Sequence, residues 1–312
     1  MATGTPQQAL STTDLVRQSL AGRRLDPRTV AFEGLLLLAL LITIGLLITL
    51  LVDVLVDGIP VFASRGTDFL TSNLSSSPER AGIAQGMVGS LSLMVFVVLI
   101  SFPIGVGAAV YLEEYAKDTG PTRFINTVIR NLAGVPAIVY GLLGVAIFVG
   151  ALGGVTGGRS IISGGLTLAV LVLPIVIITT AEALRAVPMT IREAAFGVGA
   201  TRWETVRSHV LPYAAPGIFT GTILSLARAF GETAPLIVVG AIAGTFRYTA
   251  DGLVDQLRGP YTALPTIIFG FSRDPDAGFR AATAATIIAL LVVLLGVNAL
   301  AIFLRNRFER RW

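Results

Sequence analysis

The sequence predicts an all-α polytopic membrane protein with about six transmembrane helices, and three observations lead there. Of its 312 residues, 54% are hydrophobic and 13% charged, with a mean hydropathy of +0.79, whereas soluble domains carry about 25% charged residues. Uncharged runs at 34–52, 81–112, 131–158, 160–181 and 281–304 all exceed the roughly 18 residues that, rising about 1.5 Å each, mark a helix able to cross a ~30 Å hydrocarbon layer. Lysine and arginine also alternate between segments. Fifteen fall on one side (Arg17, Arg23, Arg24, Arg28; Lys117, Arg123, Arg130; Arg185, Arg192, Arg202, Arg207; Arg305, Arg307, Arg310, Arg311). Seven fall on the other (Arg65, Arg80, Arg159, Arg247, Arg258, Arg273, Arg280), with Arg228 left inside the membrane. The excess of positive charge marks the inner side, so both termini are expected in the cytoplasm and the number of crossings is even.

In chain order, residues 1–32 are expected to form a polar cytoplasmic tail and 33–56 the first transmembrane helix, whose apolar run is too long for a signal-peptide core. Residues 57–84 read as an extracytoplasmic loop rich in Ser, Pro and Asp. The region 85–305 holds the remaining spans, and 306–312 is a cytoplasmic tail. Residues 259–272 are apolar but too short to span, which suggests an interfacial or re-entrant piece. Pro103, Pro136, Pro174 and Pro235 fall in predicted spans, where each frees a backbone carbonyl and can kink the helix. Gly105/Gly107 and Gly141/Gly144 are small-residue pairs suited to helix–helix contact.

Several function classes drop out. The pI near 9.8 reflects topology, so no nucleic-acid partner is expected. With no cysteine, a disulfide framework, a thiol nucleophile and a thiolate metal site are excluded; neither a metal nor a cofactor is expected. There is no phosphate-binding G-x-x-x-x-G-K-[ST] loop, and the only lysine, Lys117, follows Tyr115-Ala116, so the chain cannot itself be a P-loop ATPase. A lone histidine, His209, placed in a cytoplasmic loop leaves an intramembrane hydrolase without an obvious nucleophile–base pair.

The sixth apolar region, 213–243, is interrupted only by Arg228 and Glu232. Placing such residues at mid-membrane costs about 2.5–3.5 kcal/mol each, so they are expected to face a cavity or a partner. Four residues apart, they share a helix face. Arg228 offers planar donors suited to a tetrahedral oxyanion, and Glu232 can hold it in place or balance its charge when the site is empty. The bland alternative is an ion pair that only locks packing. Thr233, Thr179 and Thr180 could add hydroxyl contacts, although threonines in membrane helices more often bond a local carbonyl.

The longest inner loop, 185–212, carries Glu193-Ala194-Ala195, then Gly199, then Leu211-Pro212. These six identities at fixed offsets arise by chance at roughly one in a million per start position. They resemble the EAA loop of ABC importer permeases. Pro188 can start a short helix with Glu193 near its N-terminal end, and Gly199 permits a turn that a partner can approach. The resemblance implies a type I importer fold in which this cytoplasmic coupling helix docks on a separate ATPase. It departs from the family at His209, where an apolar residue is usual.

Four further segments narrow the resemblance: Ala108 to Tyr115, Asn131 to Leu142, Leu173 to Glu182, and Arg228 to Leu236. Together they resemble phosphate permeases, and the Gly231-Glu232-Thr233-Ala234-Pro235-Leu236 run is similar to the A-type (PstA) subunits. What that implies is a plasma-membrane permease core over 85–305 that imports inorganic phosphate with three kinds of partner. These are a second homologous permease, a cytoplasmic ATP-binding dimer and an extracytoplasmic phosphate-binding protein. Ile178 replaces a basic residue that related chains often carry before the Thr179-Thr180 pair, which shifts weight to Arg228. A C-type phosphate permease, a permease for another oxyanion and an ion-coupled secondary transporter stay open as alternatives.

Overall fold

The computed structural model describes residues 27–242 and 252–308, and among these the regular structure is helical throughout. Arg17, Arg23, Arg24, Arg247, Arg310 and Arg311 of the charge-asymmetry argument lie outside the described residues. The chain divides into two compact units, Met1–Asp53 and Val54–Trp312. In the first, helix α1 (Pro27–Arg65, which runs on into the second) presents apolar side chains on all sides, with Leu46 and Leu50 exposed. A helix apolar all round suits lipid rather than water.

The second unit begins with the rest of α1, so residues 57–84, expected as a loop, are helical as far as Arg65, and a short helix α2 (Asp68–Thr71) follows. Next come α3 (Ala84–Val110), α4 (Gly120–Ala133), α5 (Ala137–Gly144), α6 (Gly153–Thr156) and α7 (Ile161–Arg185). Then follow α8 (Met189–Gly197), α9 (Arg202–Thr205), α10 (Leu211–Gly231), α11 (Ala234–Val239), α12 (Leu253–Arg258), α13 (Leu264–Ser272) and α14 (Gly278–Phe308). Three π-helical segments, Tyr111–Tyr115, Val145–Ala151 and Val206–Val210, continue α3, α5 and α9. Among the described residues five helical stretches are long and apolar enough to cross a membrane, and a sixth arises if the bent pair α4–α5 counts as one span.

That bent pair corrects the expectation of one span over 131–158. The helix starts earlier, at Gly120, stops at Ala133, and turns by 102° before Ala137. Pro136 has no N–H to give the carbonyl four residues back, Leu132, and its ring drives the preceding residue out of helical geometry. Tyr140 compensates: its hydroxyl donates to the Leu132 carbonyl at 2.9 Å. By contrast, Pro103 and Pro174 sit inside unbroken helices.

The span expected over 213–243 is also corrected. α10 ends at Gly231, Glu232 is extended (φ −76°, ψ 121°), and α11 restarts at Ala234 with Pro235 in its first turn. Arg228 therefore sits in the last turn of a helix and Glu232 just beyond it, rather than both mid-helix. Residue 243, the end of that predicted run, lies outside the described residues. The short 259–272 piece contains α13, whose nine residues rise only ~13 Å. It is anchored where Leu264 N–H donates to Ser90 Oγ at 2.9 Å.

Lipid tails are as apolar as leucine, so close packing and interhelical hydrogen bonds hold spans together. α3 and α7 pack through Gly105 against Val176 and through Ser101 Oγ, which donates to the Ala169 carbonyl at 2.8 Å. Gly141 and Gly144 on α5 let Pro235 and Thr167 approach closely. Gly107, expected to pair with Gly105, has no neighbouring atom within 4 Å of where a Cβ would stand. Residues two apart lie about 200° round the helix, so they cannot share one contact face. Two apolar clusters result. The larger gathers Leu93, Leu168, Val172, Phe230, Leu264 and Phe279. The smaller joins Ala109, Ile177, Leu184 and Ile218 to Val187 and Val210, which lie near the two ends of the 185–212 loop.

Candidate functional site

Two regions gather the residues singled out by sequence. In the first, the helix break at Glu232-Thr233 lies beside the break at residues 134–136. A Cβ on Gly141 would stand 2.8 Å from Pro235 Cα, so α5 and α11 are in backbone contact. Arg228 Nε lies 3.3 Å from Glu232 Oε1; about half of the Arg228 side chain (49%) is open, against 19% for Glu232. The carboxylate is thus largely committed to the protein while the guanidinium keeps donors free for something else, which is the asymmetry an anion-binding arginine needs. Tyr140, 6% exposed, lies within electrostatic reach of Arg228.

Thr233 is half-buried at the same break. Thr179 and Thr180 are elsewhere. Thr179 Oγ1 donates to the Ile175 carbonyl at 3.0 Å, and its side chain packs on Gly221, seven residues and so ~10 Å along the helix from Arg228. Thr180 is fully buried and its hydroxyl has no hydrogen-bond partner. In sequence Tyr140 appears only within the 131–142 segment; the signal for it is its position four residues after Pro136, within reach of the Leu132 carbonyl that loses its α-helical donor at that proline.

The second region is the loop after α7. Pro188 N-caps α8, as its missing N–H allows. Glu193 is the fifth of nine residues in that helix, so it lies at the middle rather than near the N-terminal end. Glu193 and Ala194 are exposed, whereas Ala195 is 5% exposed and turns toward the protein. Gly199 has φ +87°, a left-handed conformation that disfavours any side chain; with nothing within 4 Å of its missing Cβ, conformation alone accounts for the glycine. Thr201 and Glu204 then form a reciprocal capping box that starts α9. Leu211 is half-buried, Pro212 exposed, and His209 exposed.

The inner surface of the loop is tied to the spans by charge. Arg192 donates to Glu114 at 2.6 Å, to the Leu184 carbonyl at 3.0 Å and to the Val187 carbonyl at 2.8 Å. Arg185 Nε donates to Glu113 at 2.8 Å, and the Arg202 guanidinium lies 5.6 Å from the centre of the Tyr115 ring. Among the described residues no group of three or more His, Asp or Glu side chains is placed to hold a metal ion.

Apolar spans broken around an ion pair, with a short helix displayed between two of them, define a membrane permease with the architecture of type I ABC importer subunits. The chain belongs to the family of binding-protein-dependent transport system inner membrane components, whose pattern matches residues 101–312. It is 34% identical over 209 residues to the probable ABC transporter permease protein YqgI of Bacillus subtilis, covering 67% of this chain and 69% of that one. It is 33% identical over 255 residues to the phosphate transport system permease protein PstA of Mycobacterium leprae, covering 80% of each. In fold it is similar to a bacterial alginate ABC transporter solved with an alginate-bound periplasmic protein (TM-score 0.59, 14% identity, 96% of each chain).

Proposed function

We propose that this chain is the membrane-spanning subunit of an ATP-driven importer of inorganic phosphate. A second homologous permease completes the path, a cytoplasmic ATP-binding dimer drives it, and an extracytoplasmic protein delivers phosphate. The observation that carries the substrate is the half-open Arg228 guanidinium, held at a helix break by Glu232 in a chain a third identical to phosphate permeases. Phosphate takes the free donors of Arg228, and Thr233 lies at the same break to add a hydroxyl. When phosphate leaves, Glu232 balances the bare guanidinium, so the empty path does not hold an uncompensated charge.

The drive enters at α8. Its exposed Glu193 and Ala194 face the ATPase, and the Gly199 turn keeps backbone accessible at its end. ATP binding closes the ATPase pair and carries the two permeases between outward-open and inward-open arrangements; hydrolysis resets them. Both termini lie in the cytoplasm, in line with the arginine distribution.

The test is uptake of labelled phosphate into vesicles containing this chain and its co-purifying partners, with and without ATP and with sulfate as competitor. Arg228→Gln should lower uptake at least about tenfold, because a hydrogen bond to a charged group contributes about 1.5–3 kcal/mol. Glu193→Ala should lower uptake while separating ATP hydrolysis from transport. Uptake without ATP would replace this reading with ion-coupled transport, and normal uptake by Arg228→Gln would return that residue to packing.

A further inference from the structure

Arg192 precedes the exposed Glu193, but its own side chain turns the other way and is 14% exposed, with Glu114 at 9%. Three groups from two different spans take its donors: the Glu114 carboxylate at the end of α3, and the Leu184 and Val187 carbonyls at and just beyond the end of α7. One guanidinium thus joins α8 to both spans that it lies beneath. The end of α3 is built for this. It winds into the π-helix Tyr111–Tyr115, and the wider π turn presents the adjacent carboxylates of Glu113 and Glu114 to two different arginines, Arg185 on α7 and Arg192 on α8. Apolar contacts between this loop and the spans come from Val187, Val210, Leu211 and, on α8 itself, Ile191. Such contacts have no direction and can slide, whereas a fork of donors on a carboxylate and two carbonyls resists both sliding and rotation.

We propose that Arg192 is a positioning residue that carries displacement of α8 into α3 through Glu114 and into α7 through the Leu184 and Val187 carbonyls, with Glu113–Arg185 tying the two spans to each other. The proposal rests on the reading of α8 as the ATPase-facing helix. A load applied at Glu193 then moves the inner ends of both spans together, and the helix breaks at residues 134–136 and 232–233 receive it through the spans packed on α7.

The experiment measures phosphate transported per ATP hydrolysed by the assembled complex in proteoliposomes, for wild type, Glu114→Gln, Arg192→Gln, Arg192→Lys and the Glu114→Gln/Arg192→Gln double variant. Glu114→Gln keeps size and an acceptor, so the complex is expected to assemble, and its ratio should fall about fivefold or more, the lower end of usual coupling factors. Arg192→Lys, which keeps the charge but not the fork, should fall between wild type and Arg192→Gln. The double variant should lose no more than the worse single variant, since both single changes cut the same connection. Less assembled complex with a wild-type ratio in what remains would make the cluster merely structural and overturn the proposal, as would additive losses in the double variant. A wild-type complex that fails to move phosphate with ATP would instead remove the importer reading itself.

Discussion

Gly141→Ala puts the contact between the two broken spans to a test with two opposing effects. Alanine favours a helix over glycine by about 1 kcal/mol, so substitution in open space stabilises. At Gly141 the new Cβ meets Pro235 Cα at 2.8 Å, Val238 Cβ at 3.1 Å and the Pro235 carbonyl oxygen at 3.2 Å. Two of these are backbone atoms that no rotamer change can move, so α11 must shift as a body. Overpacking of this kind costs about 1–3 kcal/mol, which outweighs the propensity gain and leaves a net loss of up to about 2 kcal/mol. Because α11 follows directly on Glu232 and Thr233, the shift should also disturb the ion pair and lower phosphate uptake. Gly107→Ala is the matched control, since its Cβ meets nothing within 4 Å. The assay is thermal unfolding of the detergent-solubilised complex, with uptake measured on the same preparations. Gly141→Ala unfolding at or above the wild-type temperature would refute the backbone contact and the reasoning built on it.

Two further predictions follow from hydrogen bonds. Tyr140→Phe removes the hydroxyl from the Leu132 carbonyl, and because Val135 N–H still donates to that oxygen at 3.0 Å, the loss should be about 1 kcal/mol in unfolding measurements; a loss above about 3 kcal/mol would mean the break depends on that hydroxyl alone. Between the spans, the hydrogen bonds and charge of Arg123 hold the Asp118 carboxyl below its ordinary value of 3.8. A depressed folded value means that the contribution is complete above pH 3.8 and fades as pH falls through the lower folded value. Any stability difference between wild type and Asp118→Asn should therefore stay constant from about pH 8 to pH 5 and shrink only in stronger acid; a difference that shrinks near neutrality would exclude this pair as its source.

Much of this was legible in the sequence because lipid writes its demand into composition: four of the five uncharged runs each fall in one long helix, with 131–158 the broken exception, and the spacing from Glu193 to Pro212 placed the short helix and its glycine turn. Continuity was not legible. Pro103 and Pro174 are absorbed within helices while Pro136 and Pro235 mark breaks, and residue type alone does not separate the two pairs. The glycines divide in the same way, Gly105 meeting Val176 and Gly107 meeting nothing, because a two-residue spacing reads as a pair in sequence but points to opposite sides of a helix. Thr179 and Thr180 looked alike as hydroxyls in a span, yet one bonds its own helix and the other is sealed against packing partners. Arg228 and Glu232 were found through the cost of their charge, which a sequence displays, but the helix ending between them depends on backbone geometry that it does not.

The π-helix at Tyr111–Tyr115 makes chain length at that point as consequential as residue identity. Such a turn is an α-helix holding one surplus residue, and deleting any single residue from it would let the α register close. Side chains flanking the turn would keep their places, while those within it would be re-spaced, so that Glu113 and Glu114 would no longer each face their own arginine. A one-residue gap here is thus a sharper lesion than most substitutions within the same five positions.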